Sequence, residues 1–246
     1  LQDKWYYANA YGKISQQKWD KIADVWYYFD QDGVMLSNTI FDGYIFTNSG
    51  AMAESAWVKQ DGKWYYAQAS GSLIKNKWDK IGGVWYYFNK DATMASNQWQ
   101  GSYYLKASGA MAEKEWIFDK NYNSWFYLKS GGTYAAREWI GSYYLKSGGY
   151  MAKSEWIYDN NYKSYYYLTA EGSYARNAWA GSYYLKSDGK MAKSEWIYDS
   201  SYSSYYYLTS EGSYARNKWV GDYYLKSNGK MAVNERTPDG YKVDAS

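Results

Sequence analysis

Trp19-Asp20-Lys21-Ile22-Ala23-Asp24-Val25-Trp26-Tyr27-Tyr28-Phe29-Asp30-Gln31-Asp32-Gly33-Val34-Met35 is the stretch that decides the fold. A leading Trp is followed by a run of aromatics, then a turn at Asp32-Gly33, then Met35. Tyr, Trp and Phe favour strands, and Asp-Gly supplies the positive φ that a tight turn needs. The stretch therefore predicts one β-hairpin.

The same signals recur along the chain, at leading residues Trp19, Ile40, Trp57, Trp78, Trp99, Trp116, Trp139, Trp156, Trp179, Trp196 and Trp219. From Trp99 onward, steps of 17 and 23 residues alternate, a super-repeat of 40. Glycines at 33, 50, 71, 109, 149, 172, 189, 212 and 229 mark the turns, and Ala92 stands alone at that position. A two-stranded hairpin is marginal in water, so units this short must bury their faces against one another. The expected fold is all-β, a solenoid of about 11 to 12 stacked hairpin repeats. A helical repeat fits poorly, because triple aromatic runs and a glycine in every unit disfavour helix. The solenoid is expected over residues 1–236. Residues 237–246, with the lone Pro238, read as a linker toward a further domain.

Composition narrows the chemistry. Aromatics are 23% of the 246 residues, 35 Tyr and 15 Trp against 6 Phe, so the excess lies in rings with a polar edge. With no His and no Cys, the commonest general base, the commonest metal ligand and every thiolate are missing, and no metal or cofactor is expected. The acidic residues recur with the repeat or sit in turns, whereas a glycosidase needs a singular carboxylate pair. The chain itself therefore reads as non-catalytic. A net charge of +3 is too small for a nucleic-acid footprint, and no run approaches the roughly 20 apolar residues of a spanning helix, so membrane insertion is not expected. The N-terminal residues Leu1–Trp5 show no basic region followed by an apolar run. The repeat pattern is already under way there, so the chain is expected to be a fragment.

Strand alternation places Trp26 and Tyr28 on one face and Tyr27 on the other. In a stacked array, a groove between units is then walled by the leading Trp and first run aromatic of one unit and the middle run aromatic of the next. This predicts three-ring sites at Trp19/Trp26/Tyr44, Trp57/Trp64/Tyr86, Trp78/Trp85/Tyr103, Trp116/Trp125/Tyr143, Trp156/Tyr165/Tyr183 and Trp196/Tyr205/Tyr223, with Met35 and its equivalents near on the returning strand. Three π faces around a cavity expected to hold no carboxylate suit a quaternary ammonium. In the short units the first run position is Gly43, Ser102, Ser142 or Ser182, so a wall is missing and those grooves are expected to bind poorly. The competing reading makes the same rings a core. It is the expectation for third run positions such as Tyr28, Tyr104 and Tyr167.

The leading Trp, the Trp-Tyr-Tyr run, the turn Gly and the following Met resemble the choline-binding repeats of pneumococcal and phage cell-wall hydrolases and surface proteins. The likeness is closest in Trp57–Tyr66 and Trp78–Met94 and covers about residues 5–236. It implies a secreted, surface-located module that holds choline or phosphocholine of teichoic and lipoteichoic acids in three-aromatic cages. The alternation of Trp156-Ile157-Tyr158-Asp159 units with Gly181-Ser182-Tyr183-Tyr184-Leu185 units is similar to the module of the pneumococcal endo-β-N-acetylglucosaminidase of daughter-cell separation. That likeness implies a cell-wall glycosidase as the parent. Glucan-binding wall repeats share the Trp-Tyr-Tyr punctuation and are the alternative. Sugar sites pair stacking with regular polar partners, and here the recurring Asp20/Asp79 and Glu155/Glu195 read instead as solvated strand ends.

Overall fold

The computed structural model describes residues 4–245. Among them, strands pair only as antiparallel hairpins, eleven two-stranded sheets in sequence order. The architecture is the all-β hairpin solenoid. It falls into two compact units, Leu1–Glu115 with Leu128–Tyr134, and Trp116–Tyr127 with Ala135–Ser246.

In the first unit Lys18–Ile22 pairs with Val25–Phe29 in the register Trp19↔Tyr28 and Lys21↔Trp26. The turn between them is Ala23-Asp24, with φ of 48° and 65°. Two consecutive positive φ values match the right-handed twist of the strands. This corrects the sequence reading, which put the hairpin turn at Asp32-Gly33. Gly33 does hold a φ of 77°, and its N–H donates to the Asp30 carbonyl, but that turn closes a single bridge, Phe29↔Met35. Ala and Asp carry the strained φ in the true hairpin turn, so the glycine signal pointed to the second one. Ala92, the odd residue in the glycine series, also holds a positive φ, 68°.

Backbone bonds join hairpins within a unit. The Met52 N–H donates to the Trp26 carbonyl at 2.8 Å, and the Met191 N–H to the Tyr165 carbonyl at 2.9 Å. The core is a ladder formed by the residue that ends each aromatic run. Phe29, Phe46, Phe88, Leu105, Leu145, Leu168, Leu185, Leu208 and Leu225 are all at most 1% exposed. Burying each such side chain stabilises the fold by about 1.5–3 kcal/mol. The alanines that follow Met52, Met94, Met111, Met151, Met191 and Met231 are buried, wholly so at Ala112, Ala152 and Ala192, and let neighbouring hairpins approach. The third run tyrosines expected as core divide: Tyr184 and Tyr224 are buried, whereas Tyr28, Tyr104 and Tyr167 are half-buried, Tyr28 and Tyr167 facing the leading Trp across the hairpin.

Candidate functional site: aromatic cages between hairpins

Cross-strand pairing builds each site. Because Trp19 lies opposite Tyr28, Trp19 and Trp26 are diagonal neighbours on one face, 6.4 Å apart and at 88°. Tyr28 supports Trp19 edge-on at 5.3 Å. Tyr44 of the next hairpin faces back, 4.9 Å from Trp19 and tilted by 71°. The result is a three-walled box.

The other trios assemble alike. Trp57 stands 6.4 Å from Trp64 and 4.8 Å from Tyr86. Trp78 lies 5.3 Å from Tyr103, and Trp116, Trp156 and Trp196 lie 5.4 Å from Tyr143, Tyr183 and Tyr223. Open cavities occupy four of these boxes: about 350 Å³ at Trp19/Trp26/Tyr44, 280 Å³ at Trp78/Trp85/Tyr103, 360 Å³ at Trp116/Trp125/Tyr143 and 290 Å³ at Trp196/Tyr205/Tyr223. The first run rings Trp26, Trp64, Trp85, Trp125, Tyr165 and Tyr205 are exposed, although buried rings would stabilise the fold more.

Two expectations about the lining change. The methionine of each cage comes from the following hairpin: Met52 lines the Trp19 cage, Met111 the Trp78 cage, Met151 the Trp116 cage and Met231 the Trp196 cage. Met35 belongs instead to a cavity of about 400 Å³ lined by Trp5 and Tyr27, among others, a site the sequence reading did not name although Trp5-Tyr6-Tyr7 is an aromatic run. The cages are also not uniformly free of carboxylate, since Glu171 lines the Trp116 cavity where Ser70 lines the Trp19 cavity. Glu171 comes from two hairpins further on, beyond the reach of a nearest-neighbour reading.

The grooves with a missing wall are filled. At Trp139, Tyr166 lies at 5.0 Å and Tyr174 stands edge-on at 5.7 Å and 89°. Trp179 repeats this with Tyr206 at 4.8 Å and Tyr214 at 5.8 Å. The indole N–H of Trp139 donates to Asp159 at 2.7 Å, and that of Trp179 to Asp199 at 2.6 Å. Residues 237–241 carry the same contacts for the last hairpin, where Trp219 donates to Asp239 at 2.8 Å and meets Tyr241 at 5.7 Å. Next to the Ile40 hairpin, Ile45, Leu73 and the buried ring of Tyr65 form one cluster, while Ile40 itself is exposed.

Electrostatically the buried carboxylates are structural. Burial alone would raise Asp159, but the N–H groups of Tyr162 and Asn161 and the Trp139 indole together hold it below the usual carboxylate value. Both of its oxygens accept bonds from the chain itself. Burial pushes the Tyr166 phenol up to about 12, helped by the charges of Asp188 and Asp159. Asp20 pairs with Lys18 at 2.8 Å, Glu155 with Lys146 at 2.9 Å and Glu195 with Lys186 at 3.1 Å. The described residues hold no cluster of acidic side chains fit for a metal.

An array of hairpins with three-ring boxes between them is the mark of a repeat-built binding module. The choline-binding repeat model matches residues 93–132, 173–214 and 213–246, and a cell wall binding repeat model matches 18–35, 55–73 and 76–91. The choline-binding domain of CbpL from Streptococcus pneumoniae is 57% identical, with a TM-score of 0.57, over 78% of this chain and 94% of that one. The chain belongs to the choline-binding repeat family. The modular autolysin LytC from Streptococcus pneumoniae is 30% identical over 92% of this chain, with a TM-score of 0.52, and the match spans 51% of LytC. CbpJ from Streptococcus pneumoniae, 22% identical over 94% of this chain and 98% of that one with a TM-score of 0.53, shares the fold. No curated protein matches the chain.

Proposed function

We propose that the chain is a non-catalytic anchor that holds the choline groups of teichoic and lipoteichoic acids in its aromatic cages and so retains an attached protein at the bacterial surface. The carrying observation is the box itself: a leading Trp, a first run aromatic and a facing Tyr around an open cavity, repeated along a chain of this family. Ring quadrupoles attract a diffuse cation, and the apolar walls suit its methyl groups. The residues assigned to choline are Trp19, Trp26 and Tyr44; Trp57, Trp64 and Tyr86; Trp78, Trp85 and Tyr103; Trp116, Trp125 and Tyr143; Trp156, Tyr165 and Tyr183; and Trp196, Tyr205 and Tyr223.

The cages act as separate weak sites. Each ring contributes about 0.5–2 kcal/mol, so one cage is a weak binder, and avidity on a polymer carrying many cholines supplies the retention. A secreted cell-wall hydrolase is the parent we assign, an endo-β-N-acetylglucosaminidase by the pattern of its repeats. The likeness to half of a modular autolysin supports a hydrolase.

The test is a titration with choline, tetramethylammonium and glucose oligomers, followed by Trp fluorescence and thermal midpoint. Response to the two cations alone is the expected result. Response to sugars alone would replace choline by a glucan as the ligand.

A further inference from the structure

In the second unit, open cavities stand at the Trp116 and Trp196 boxes while the grooves at Trp139 and Trp179 are filled, and the filling comes from the chain itself. We infer that Tyr174 and Tyr214 are built-in occupants that shut the grooves at Trp139 and Trp179, whose indoles are tied down by Asp159 and Asp199, so that this unit opens a cage only at every second hairpin. The inference rests on reading the open cages as quaternary-ammonium sites.

Backbone position makes the equivalence plain. The Tyr174 N–H donates to the Ser142 carbonyl at 3.0 Å just as the Met151 N–H donates to the Trp125 carbonyl at 3.1 Å. Both side chains lie over the positive-φ glycine of the following turn, Gly189 for Tyr174 and Gly172 for Met151. Tyr174 thus stands where an open cage has methionine. A methionine there leaves a cavity; a tyrosine puts a rigid ring against Trp139 and, at 5.9 Å, against Tyr166, the counterpart of the cage wall Tyr143.

The plug carries its own cation. The Arg176 guanidinium sits 4.3 Å over the Tyr174 ring and donates to the Ser142 hydroxyl at 3.1 Å. A charged group on an aromatic face thereby occupies the side on which an open cage has its first run ring. At Trp139 that face of the plug is therefore taken by a cation of the chain itself, closer than the lysines that lie 5.6 to 5.9 Å from the cage walls Trp64, Trp85 and Tyr165.

The base of the groove is fixed as well. Asp159 is 6% exposed and takes the Trp139 indole N–H on one oxygen and the N–H groups of Asn161 and Tyr162 on the other. Turning the indole would leave a buried carboxylate oxygen without a donor. The sequence repeats the device: 20 residues after Trp139, Trp179 and Trp219 stand Asp159, Asp199 and Asp239, whereas the same step from Trp116, Trp156 and Trp196 reaches Ala136, Arg176 and Arg216. Cage spacing in this unit is therefore set by the plugs at 40 residues, twice the average hairpin repeat.

Two variants of the full chain test this in opposite directions, with choline bound per chain counted by calorimetry. Met151→Tyr plugs the Trp116 cage and is expected to lower the count by one. Ser142→Trp with Tyr174→Met rebuilds a wall and removes the plug at Trp139, and is expected to raise the count by one. Folding of each is checked by near-ultraviolet circular dichroism, and if the double variant does not fold, Met151→Tyr decides alone. An unchanged count in Met151→Tyr, while the parent chain binds choline, overturns the inference and leaves the proposed function standing. Failure of the parent chain to bind choline overturns the function, and the inference with it.

Discussion

Trp125→Ala is the cleanest perturbation of a single cage. The ring is 38% exposed and walls the cavity opposite Trp116 and Tyr143, so its loss opens the box without touching the core. Its other contact is Phe118 at 5.3 Å, a pair worth about 0.5–1.5 kcal/mol, which bounds the cost to the unliganded fold. Trp116 would be a poorer choice, because it also supports Tyr127 at 5.3 Å. Removing one of three π faces from a desolvated cation forfeits about 1–2 kcal/mol, roughly a 5- to 30-fold weakening at that cage. With choline at ten times the site dissociation constant, each intact cage adds about 1.4 kcal/mol of stability by mass action, and a cage weakened tenfold adds about 0.4. Trp125→Ala should therefore lose about 1 kcal/mol of choline-dependent stabilisation relative to the parent chain. The assay is chemical denaturation of both proteins with and without choline, beside a calorimetric count of bound choline. If the variant keeps the full choline-dependent increment and the full count, Trp125 is not a wall of a working site, and the assignment of the equivalent rings Trp26, Trp64 and Trp85 falls with it.

Leu168→Ala removes a fully buried rung of the ladder and should destabilise the second unit by about 2–5 kcal/mol in denaturant melts, with cage affinity little changed while the chain remains folded. Stability should fall at both pH extremes. Asp159 is held below its ordinary 3.8, so its contribution is present above that value and is lost as pH drops through the folded value. Tyr166 is raised from 10.0 to about 12, so its contribution is complete below pH 10 and is lost as pH climbs toward 12. Thermal midpoints of the parent chain and Tyr166→Phe across alkaline pH check the second limb, which the variant should flatten.

The hairpin and the trios were legible because they depend on two short-range regularities. Side chains alternate along a strand, and a fixed repeat step carries one unit's alternation onto the next. Trp19, Trp26 and Tyr44 could be placed together from those alone, and the structure brings them within 4.9 to 6.4 Å of Trp19. The turn was misplaced for a local reason. Glycine is the visible mark of positive φ, yet in the first full hairpin the strained positions are Ala23 and Asp24. The core was legible only in part: the third run rings Tyr184 and Tyr224 are buried, but the wholly buried rungs are Leu168 and Leu208, which close the runs and carry no aromatic signal. Glu171 at the Trp116 cavity was out of reach because the contact skips a hairpin, and no strand periodicity links residues at that separation.

The alternation of open and filled grooves bears directly on how such a module holds a polymer. An absent wall at Ser142 or Ser182 predicts a defective box, but not whether water, ligand or protein fills it. The residues that decide, Tyr174 and Tyr214, stand at the methionine position of the repeat, where either an unbranched thioether or a ring can lie over the turn glycine. The choice has a thermodynamic consequence. A filled groove contributes packing to the fold in the absence of ligand, whereas an open cage exposes aromatic surface and recovers that free energy only when a cation enters. A unit with every groove open would gain sites and lose rigidity, and avidity needs both, because effective concentration collapses when the array cannot hold its sites at the polymer's spacing. Shutting alternate grooves from within keeps the second unit ordered between the cages at Trp116, Trp156 and Trp196.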